Sequence, residues 1–313
     1  MKVVVTGALG HIGSALIRHE PFLAAVDEVV LVDDFSTQRF VSVFNLPTNV
    51  RFRMCAGDVA TVLDHELLDG CAAVIHLAAI TEASASVDRP DWVFENNLRI
   101  TTHVARLSLE TDTPLVMVSS TSVYTGGGAA IDESSPAVDP ATPYAQCKLA
   151  EETVVSEYVQ RGLTAIIFRF GTIFGVSPGM RFHTAVNKFC WQAAVGEPLG
   201  VWQTAMDQRR PYLALTDAVD AITHAVADRV FPGVVVNAVT CNVTVREVID
   251  RIIACGVDVR VNLVSSAAMN ANSYTTSTKR AEELGFTFRG SLDVGVRETL
   301  ELLAGLLPAE RPM

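Results

Sequence analysis

This sequence is short of positive charge relative to negative. Its 24 lysine and arginine residues face 35 aspartate and glutamate residues, a formal net charge of -11. Neither a nucleic-acid groove nor a membrane-surface role is therefore expected, because both need basic patches. No apolar run reaches bilayer-spanning length, and MK passes straight into VVVTG without the long apolar core of a signal peptide. A cytoplasmic location is expected. The six cysteines, Cys55, Cys71, Cys147, Cys190, Cys241 and Cys255, contain no CxxC and no histidine-paired spacing, so no metal site is expected and the thiols look like small buried residues in a reducing compartment. Cys147 stands beside Lys148 and invites a second reading as a low-pKa thiol; adjacent residues on a helix point apart, which favours an inert one. No internal repeat is visible.

What is present is hydrophobic. Apolar residues make up 49% and charged ones 19% of 313 residues, which excludes disorder, and a chain longer than roughly 250 to 300 residues tends to divide its core into two lobes. Strand-like apolar runs recur at 2–6 (KVVVT), 29–33 (VVLVD), 73–78 (AVIHLA), 115–120 (LVMVSS) and 165–170 (AIIFRF), with a further one at 50–55 (VRFRMC). Helix-length segments separate them, the alternation of a doubly wound α/β fold with a buried parallel sheet. After residue 170 the alternation stops. A Gly/Pro loop (174–182), a helix (186–195), a polar connection (202–212) and helices at 216–228, 244–256 and about 292–305 are expected to form a smaller lobe over the first. The expected division is 1–170, with later returns near 211–238, against 171–313. The long loop from Thr125 to Pro143 has the length of a functional lid.

TGALGHIG (6–13) follows the first strand and opens a helix, placing Gly7, Gly10 and Gly13 where backbone approaches a pyrophosphate. The second strand ends at Asp33, 20 residues after Gly13, where a carboxylate would accept hydrogen bonds from an adenosine ribose. Asp33 and Asp34 would repel a 2′-phosphate, so NAD is expected over NADP; Arg39 would reverse this only if its loop folds back. Downstream, PYAQCK (143–148) places Tyr144 and Lys148 one helical turn apart on one face. Many surface helices carry such a pair by chance, and only context makes it chemical.

Taken in order, TGxxGxxG with Asp33, GDV (57–59), HLAA (76–79), SSTSVY (119–124) and YxxxK (144–148) resemble the extended short-chain dehydrogenase/reductase family. More narrowly they resemble its NAD-dependent nucleotide-sugar epimerases and dehydratases, typified by UDP-galactose 4-epimerase, over essentially the whole chain. The resemblance implies a Rossmann-type NAD-binding domain with a smaller α/β substrate-binding lobe on its C-terminal side. It implies that His11 and Ile12 approach the pyrophosphate, that Asp34, Phe35 and Ser36 continue the ribose site after Asp33, and that Asp58 and Val59 frame the adenine. Leu77, Ala78, Ala79 and Thr81 would line the nicotinamide side and Asn96 would touch the cofactor.

It also makes Ser120, Tyr144 and Lys148 the catalytic trio. A tyrosine hydroxyl of pKa about 10 needs a shift of roughly three units, about 4 kcal/mol, to act near neutrality. One positive charge about 5 Å away at an effective dielectric of ~20 contributes roughly 3 kcal/mol, and Lys148 and an oxidised nicotinamide both offer one. Tyr144 is thus the expected general base, Lys148 its tuner, and Ser120 the partner of the reacting hydroxyl. Dehydratases of the family carry an Asp-Glu pair where this chain has Thr121 and Ser122, so water elimination is disfavoured. Expected substrate contacts are Thr81, Ser120, Thr121, Ser122, Tyr144, Thr172, Arg181, Asn187 and Arg210, the arginine being suited to phosphate. Thr172 and Gly171 stand where relatives have Asn and Phe, and Asn272 where they have Arg; His183 is expected to start a helix. The implied reaction is epimerisation of a nucleotide-diphosphate sugar by a homodimeric isomerase. A one-way dehydrogenase or reductase, a decarboxylase and a non-catalytic NAD-binding regulator remain alternatives.

Overall fold

A computed structural model of the chain describes residues 1–81, 88–126, 130–135, 140, 142–264 and 273–306. Seven strands form the central sheet: β1 (Lys2–Thr6), β2 (Glu28–Asp33), β3 (Arg51–Ala56), β4 (Cys71–His76), β5 (Leu115–Ser120), β7 (Ala165–Phe170) and β11 (Val235–Ala238). Their order is β11-β7-β5-β4-β1-β2-β3, and every pairing is parallel. Val3, Val4 and Val5 of β1 are fully buried, as an inner parallel strand covered on both faces requires. The first three strands run outward in one direction from β1 and β4 begins on its other side. The crevice where open α/β sheets take ligands therefore lies at the carboxyl ends of β1 and β4.

Apolar clusters fill both faces of the sheet. One contains Leu16, Phe22, Phe168 and the helix Leu215–Ala227; the other contains Leu63, Leu68, Val104, Val155 and Ile167. The β2–β3 edge ends at a strand with exposed Arg51, Arg53 and Met54, the charged edge that discourages further pairing. Short β6 (Ala130–Ile131) pairs with β14 (Thr275–Thr276).

A third cluster, built on Phe174, Val186, Phe189, Tyr212, Val248 and Val296, holds the smaller lobe together. Its sheets are β8 (Thr172–Phe174), β10 (Arg209–Ala214) and β12 (Cys241–Thr244), and the pair β9 (Leu199–Trp202) with β13 (Val261–Val264). The segment 202–212, expected as a polar connection, is thus largely bounded by strand: Tyr212, Leu213 and Ala214 pair in parallel with Thr172, Ile173 and Phe174. Polar side chains on the exposed positions of β10 masked it. The helix Val245–Ala254 opens with a complete capping box between Thr244 and Glu247. Among the described residues no helix is long and apolar enough to cross a membrane.

Candidate active site

One cavity of about 600 Å³ runs from the glycine turn across the carboxyl ends of β1, β4 and β5 into the smaller lobe. Its first wall is the glycine turn. Gly7 has φ +63° and a Cβ there would lie 2.6 Å from the Ala78 nitrogen; a Cβ on Gly13 would lie 2.5 Å from the Ala8 oxygen. Both positions exclude side chains for packing reasons. Gly10 lines the cavity, and a Cβ there would press to 3.2 Å from the Gly7 carbonyl oxygen. Asp33 closes this end, its Oδ2 accepting from Leu9 N and its Oδ1 from Phe35 N, both at 3.0 Å. Burial pushes the Asp33 carboxyl up and those two N–H groups oppose it. Each oxygen keeps a lone pair for a ribose hydroxyl, so turn and carboxylate fit a dinucleotide.

The loop after Asp34 does fold back. Phe35 and Gln38 adopt φ +56° and +53°, and Arg39 Nη1 donates to the Gly179 carbonyl at 2.9 Å. Arg39 lines the cavity, but its guanidinium is engaged across the crevice with the smaller lobe. Phe35 does not line the cavity; its ring stacks on Phe40 at 4.9 Å. His11 does, and its Nε2 is 2.9 Å from the Gly175 carbonyl. Burial lowers its pKa to about 4, against that bond, with the charges of Arg39 and Arg181 lowering it further. His11 is thus a neutral donor that holds the 175–181 loop.

Asp58 caps the short helix Val59–Val62 through Ala60 N and is ion-paired to Arg99; hydrogen bonding to Arg99 holds its carboxyl below the usual range against partial burial. Asn96 accepts from the same Arg99 at 3.1 Å. Its neighbour Asn97, which sequence reasoning passed over, is fully buried and holds Ile80 from both sides, accepting from Ile80 N at 2.9 Å and donating to Ile80 O at 3.1 Å. That clamp fixes the 77–81 wall, and Arg181 Nη1 donates to Thr81 Oγ1 across it at 2.8 Å.

The reacting end is built where β5 meets the helix Pro143–Gln160. Thr142 caps this helix by accepting from Ala145 N, with Pro143 at its first position. Tyr144 and Lys148 then fall in the first turns, and both line the cavity with Ser120. Ser120 Oγ accepts from Ser122 N at 3.1 Å. Burial pushes the Tyr144 hydroxyl up, while the Lys148 charge pulls it down and Ser120 helps to lower it. Cys147 is buried, and burial followed by the Glu151 charge raises its thiol to about 12, which is the inert form.

Ser122 Oγ is buried and has no hydrogen-bond partner among the described residues, although Ser122 lines the cavity. Thr121 turns away: its Oγ1 donates to the Phe170 carbonyl at 3.4 Å and its own carbonyl accepts from Tyr274 Oη at 2.9 Å. Asn187 also departs from expectation. It is fully buried outside the cavity, accepting from Gly175 N and donating to the Arg181 carbonyl. The side chain that reaches the cavity is the next one, Lys188, because successive residues on a helix point about 100° apart. Thr172, Arg181, His183, Trp202 and Arg210 complete the far end, the Arg210 guanidinium lying 5.2 Å from the Tyr274 ring centre. Asn272 lies outside the described residues.

A parallel sheet with a glycine turn, a strand-end carboxylate and a Ser-Tyr-Lys trio in one crevice defines a dinucleotide-dependent enzyme of the short-chain dehydrogenase/reductase type. The chain belongs to the NAD dependent epimerase/dehydratase family, which it matches over residues 3–238, and its cofactor is NAD. It is 28% identical over 250 residues to the uncharacterized UDP-glucose epimerase YtcB of Bacillus subtilis, covering 76% of each chain. It is 27% identical over 246 residues to a UDP-N-acetyl-alpha-D-glucosaminuronate decarboxylase of Bacillus cytotoxicus, covering 75% of this chain and 74% of that one. Among solved structures, MoeE5 in complex with UDP-glucose and NAD is 28% identical with a TM-score of 0.81, covering 96% of this chain and 98% of its own.

Proposed function

We propose that this protein epimerises a nucleotide-diphosphate sugar by transient oxidation. The observation that carries the reading is the placement of Ser120, Tyr144 and Lys148 midway along a single cavity. The Asp33 end fits a dinucleotide, and the other end carries Lys188 and Arg210. Lys188 and Arg210 suit a diphosphate, and anchoring there leaves the sugar to reach Tyr144. Ser120 aligns one sugar hydroxyl, and Tyr144 removes its proton as the base. NAD, held by the glycine turn and Asp33, would supply a hydride acceptor for the same carbon and then a donor back to it. The keto sugar turns over between the two events, and Tyr144 then gives the proton back.

The carboxylates lining the cavity among the described residues are Asp33, Asp34 and Asp58, all at the adenosine end. Among the described residues no acid lines the cavity beside Ser120 to expel water, which favours epimerisation over dehydration. The orphaned Ser122 hydroxyl supports substrate contact here, since a buried unpaired hydroxyl is costly until a ligand satisfies it. Thr121 and Asn187 drop out of the substrate-contact set because their polar groups are used internally.

A panel of UDP-, GDP-, CDP- and dTDP-sugars, each deuterated at the carbon to be inverted, tests the reaction by NMR. The expected product keeps its deuterium and no NADH accumulates. Build-up of NADH matched to product removes the epimerase reading in favour of a dehydrogenase, and release of CO₂ from a uronic acid substrate points to decarboxylation.

The reading includes a homodimer through the helices Pro90–Glu110 and Pro143–Gln160. Val155 cannot contribute because it is buried in the core cluster beneath the sheet face, and Tyr158 packs partly against the same cluster. Val154, Trp92 and Phe94 leave apolar surface outside it, the last two 46% and 37% exposed. Light scattering at micromolar concentration should give twice the chain mass of 33.7 kDa; a single chain mass would remove the dimer.

A further inference from the structure

Beneath the Ser-Tyr-Lys trio lies a buried polar chain that the reaction above does not use. Lys148 Nζ donates to Glu151 Oε2 at 2.9 Å and to the Val118 carbonyl of β5 at 3.3 Å. The two side chains of the ion pair are 5% and 1% exposed, so water does not screen it. Thr101, on the neighbouring helix Pro90–Glu110, donates its hydroxyl to the same Glu151 oxygen at 3.4 Å. Cys147 Sγ lies 3.4 Å from Glu151 Oε1. Behind Thr101 stand His76 of β4, whose Nε2 is 3.2 Å from Thr101 Oγ1, and Thr6 of β1, whose Oγ1 is 2.7 Å from His76 Nδ1. Ala78 N donates to that Thr6 oxygen at 3.2 Å.

The directions of these bonds are set from the Glu151 end. A carboxylate only accepts, so Thr101 spends its one hydrogen on Glu151 and must accept from His76 Nε2–H. His76 is neutral at any ordinary pH, since burial and then the Lys148 charge lower it to about 3. A neutral ring that donates from Nε2 accepts at Nδ1, so the Thr6 hydroxyl donates to His76 while its oxygen accepts from Ala78 N–H. Every hydrogen points at one carboxylate, and that carboxylate faces one ammonium. The groups around Glu151 are Tyr144, Cys147 and Lys148 on its own helix, Thr101 on the next and His76 behind it. Lys148 is the cation among them.

We propose that Glu151 is a positioning residue for Lys148: it is the fixed counter-ion that keeps the buried ammonium charged and aimed at Tyr144, and the Thr101–His76–Thr6 chain holds Glu151 in place. This rests on the reading of Tyr144 and Lys148 as base and tuner. An ammonium in this setting would shed its proton without a partner, because burial disfavours the charged form. Burial does push Lys148 down, and the Glu151 carboxylate, with smaller help from Tyr144, more than offsets it, leaving Lys148 above the ordinary lysine value. A Lys148 that lost its charge would no longer lower the Tyr144 hydroxyl, and turnover near neutrality would fall.

The chain has four lysines, Lys2, Lys148, Lys188 and Lys279, few enough to follow each by ¹³C NMR of its Cε in the full-length, NAD-loaded protein. The Lys148 signal is the one missing from Lys148→Met. In the unaltered protein it is expected not to titrate below about pH 10, whereas in Glu151→Gln its midpoint falls by about 2 units or more, the scale of shift that burial imposes on an unpaired lysine. Turnover at pH 7 is expected to drop at least about 10-fold, with the acid limb of the pH profile moved to higher pH. An unmoved Lys148 midpoint in a folded Glu151→Gln overturns the proposal. Should that variant not fold, Glu151→Asp keeps the charge but retracts it by one methylene. A lowered Lys148 midpoint then supports the proposal, and one equal to that of the unaltered protein overturns it. The lysine titration needs no substrate, so it stands apart from the reaction assignment: a displaced Lys148 in a protein whose Tyr144→Phe variant still turns over would leave Glu151 in its role and remove the base.

Discussion

Replacing Tyr144 by Phe is expected to lower turnover by about 10²- to 10⁴-fold, the range that a positioned general base contributes, while the protein keeps its NAD. The ring that packs at the start of the helix Pro143–Gln160 is retained, and only the proton-accepting oxygen is lost. Nothing in the glycine turn or around Asp33 depends on that oxygen, whose neighbours are Ser120 and the Lys148 charge. Ser120→Ala removes one aligning hydrogen bond and should cost less, about 1 to 3 kcal/mol of transition-state stabilisation. The pH dependence has a definite sign. Burial raises the Tyr144 hydroxyl, Lys148 lowers it, and a positively charged oxidised nicotinamide beside it would lower it further. Turnover should therefore rise with pH until the phenol ionises in the loaded protein, and no such limb should remain in Tyr144→Phe. Initial rates from pH 5 to 10, together with NAD released by acid from each variant, check both statements. An unchanged rate in Tyr144→Phe would remove the mechanism.

The largest stability effect is expected one residue beyond Glu151. Glu152 faces the opposite way and pairs with Arg169 of β7, both almost fully buried. Arg169 Nε donates to Glu152 Oε1 at 2.9 Å, Nη2 to Oε2 at 2.6 Å, and Nη1 to Tyr124 Oη at 2.8 Å. Tyr124 in turn donates to Asn237 of β11 at 2.9 Å, and Ser119 of β5 donates to Glu152. This network ties the helix that carries Tyr144 and Lys148 to three strands of the sheet. Arg169→Met leaves the Glu152 carboxylate buried and unpaired, and should destabilise the protein by about 3–5 kcal/mol. Arg169→Met with Glu152→Leu removes both charges and should recover most of that loss, since a well-packed apolar pair can replace a buried ion pair. Urea unfolding, read as the change in midpoint at constant slope, distinguishes them. A single variant within about 1 kcal/mol of the parent would show that the pair contributes little.

Much of this molecule is legible along the chain because its signals are local. Val3 to Val5, Val29 to Val32 and Ile166 to Phe168 are continuous apolar runs, and a strand buried on both faces has no other way to read. Gly7 and Gly13 are demanded by backbone geometry within one turn, Asp33 by the end of the strand beside it, and Tyr144 and Lys148 by one helical turn. The smaller lobe is less legible. Polar residues mask β10 at Arg209 and Arg210, and Asn187 and Lys188 are adjacent residues of which only the fold decides that the lysine reaches the cavity.

What the sequence by itself determined is the order and chemistry of the motifs: a glycine turn, a strand-end Asp33, and Ser120, Tyr144 and Lys148 in family sequence. Only the tertiary structure decided how those groups are held. Glu151 and Glu152 are identical neighbours in sequence, yet one turns to Lys148 and the other to Arg169, 17 positions further along the chain. Thr121 is likewise drawn from the cavity to the Phe170 carbonyl, and Arg39 across the crevice to Gly179. Each of these outcomes depends on contacts between segments far apart in the chain. Burial then makes the resulting polar pairings obligatory, because a charge or hydroxyl withdrawn from water must find its partner within the fold.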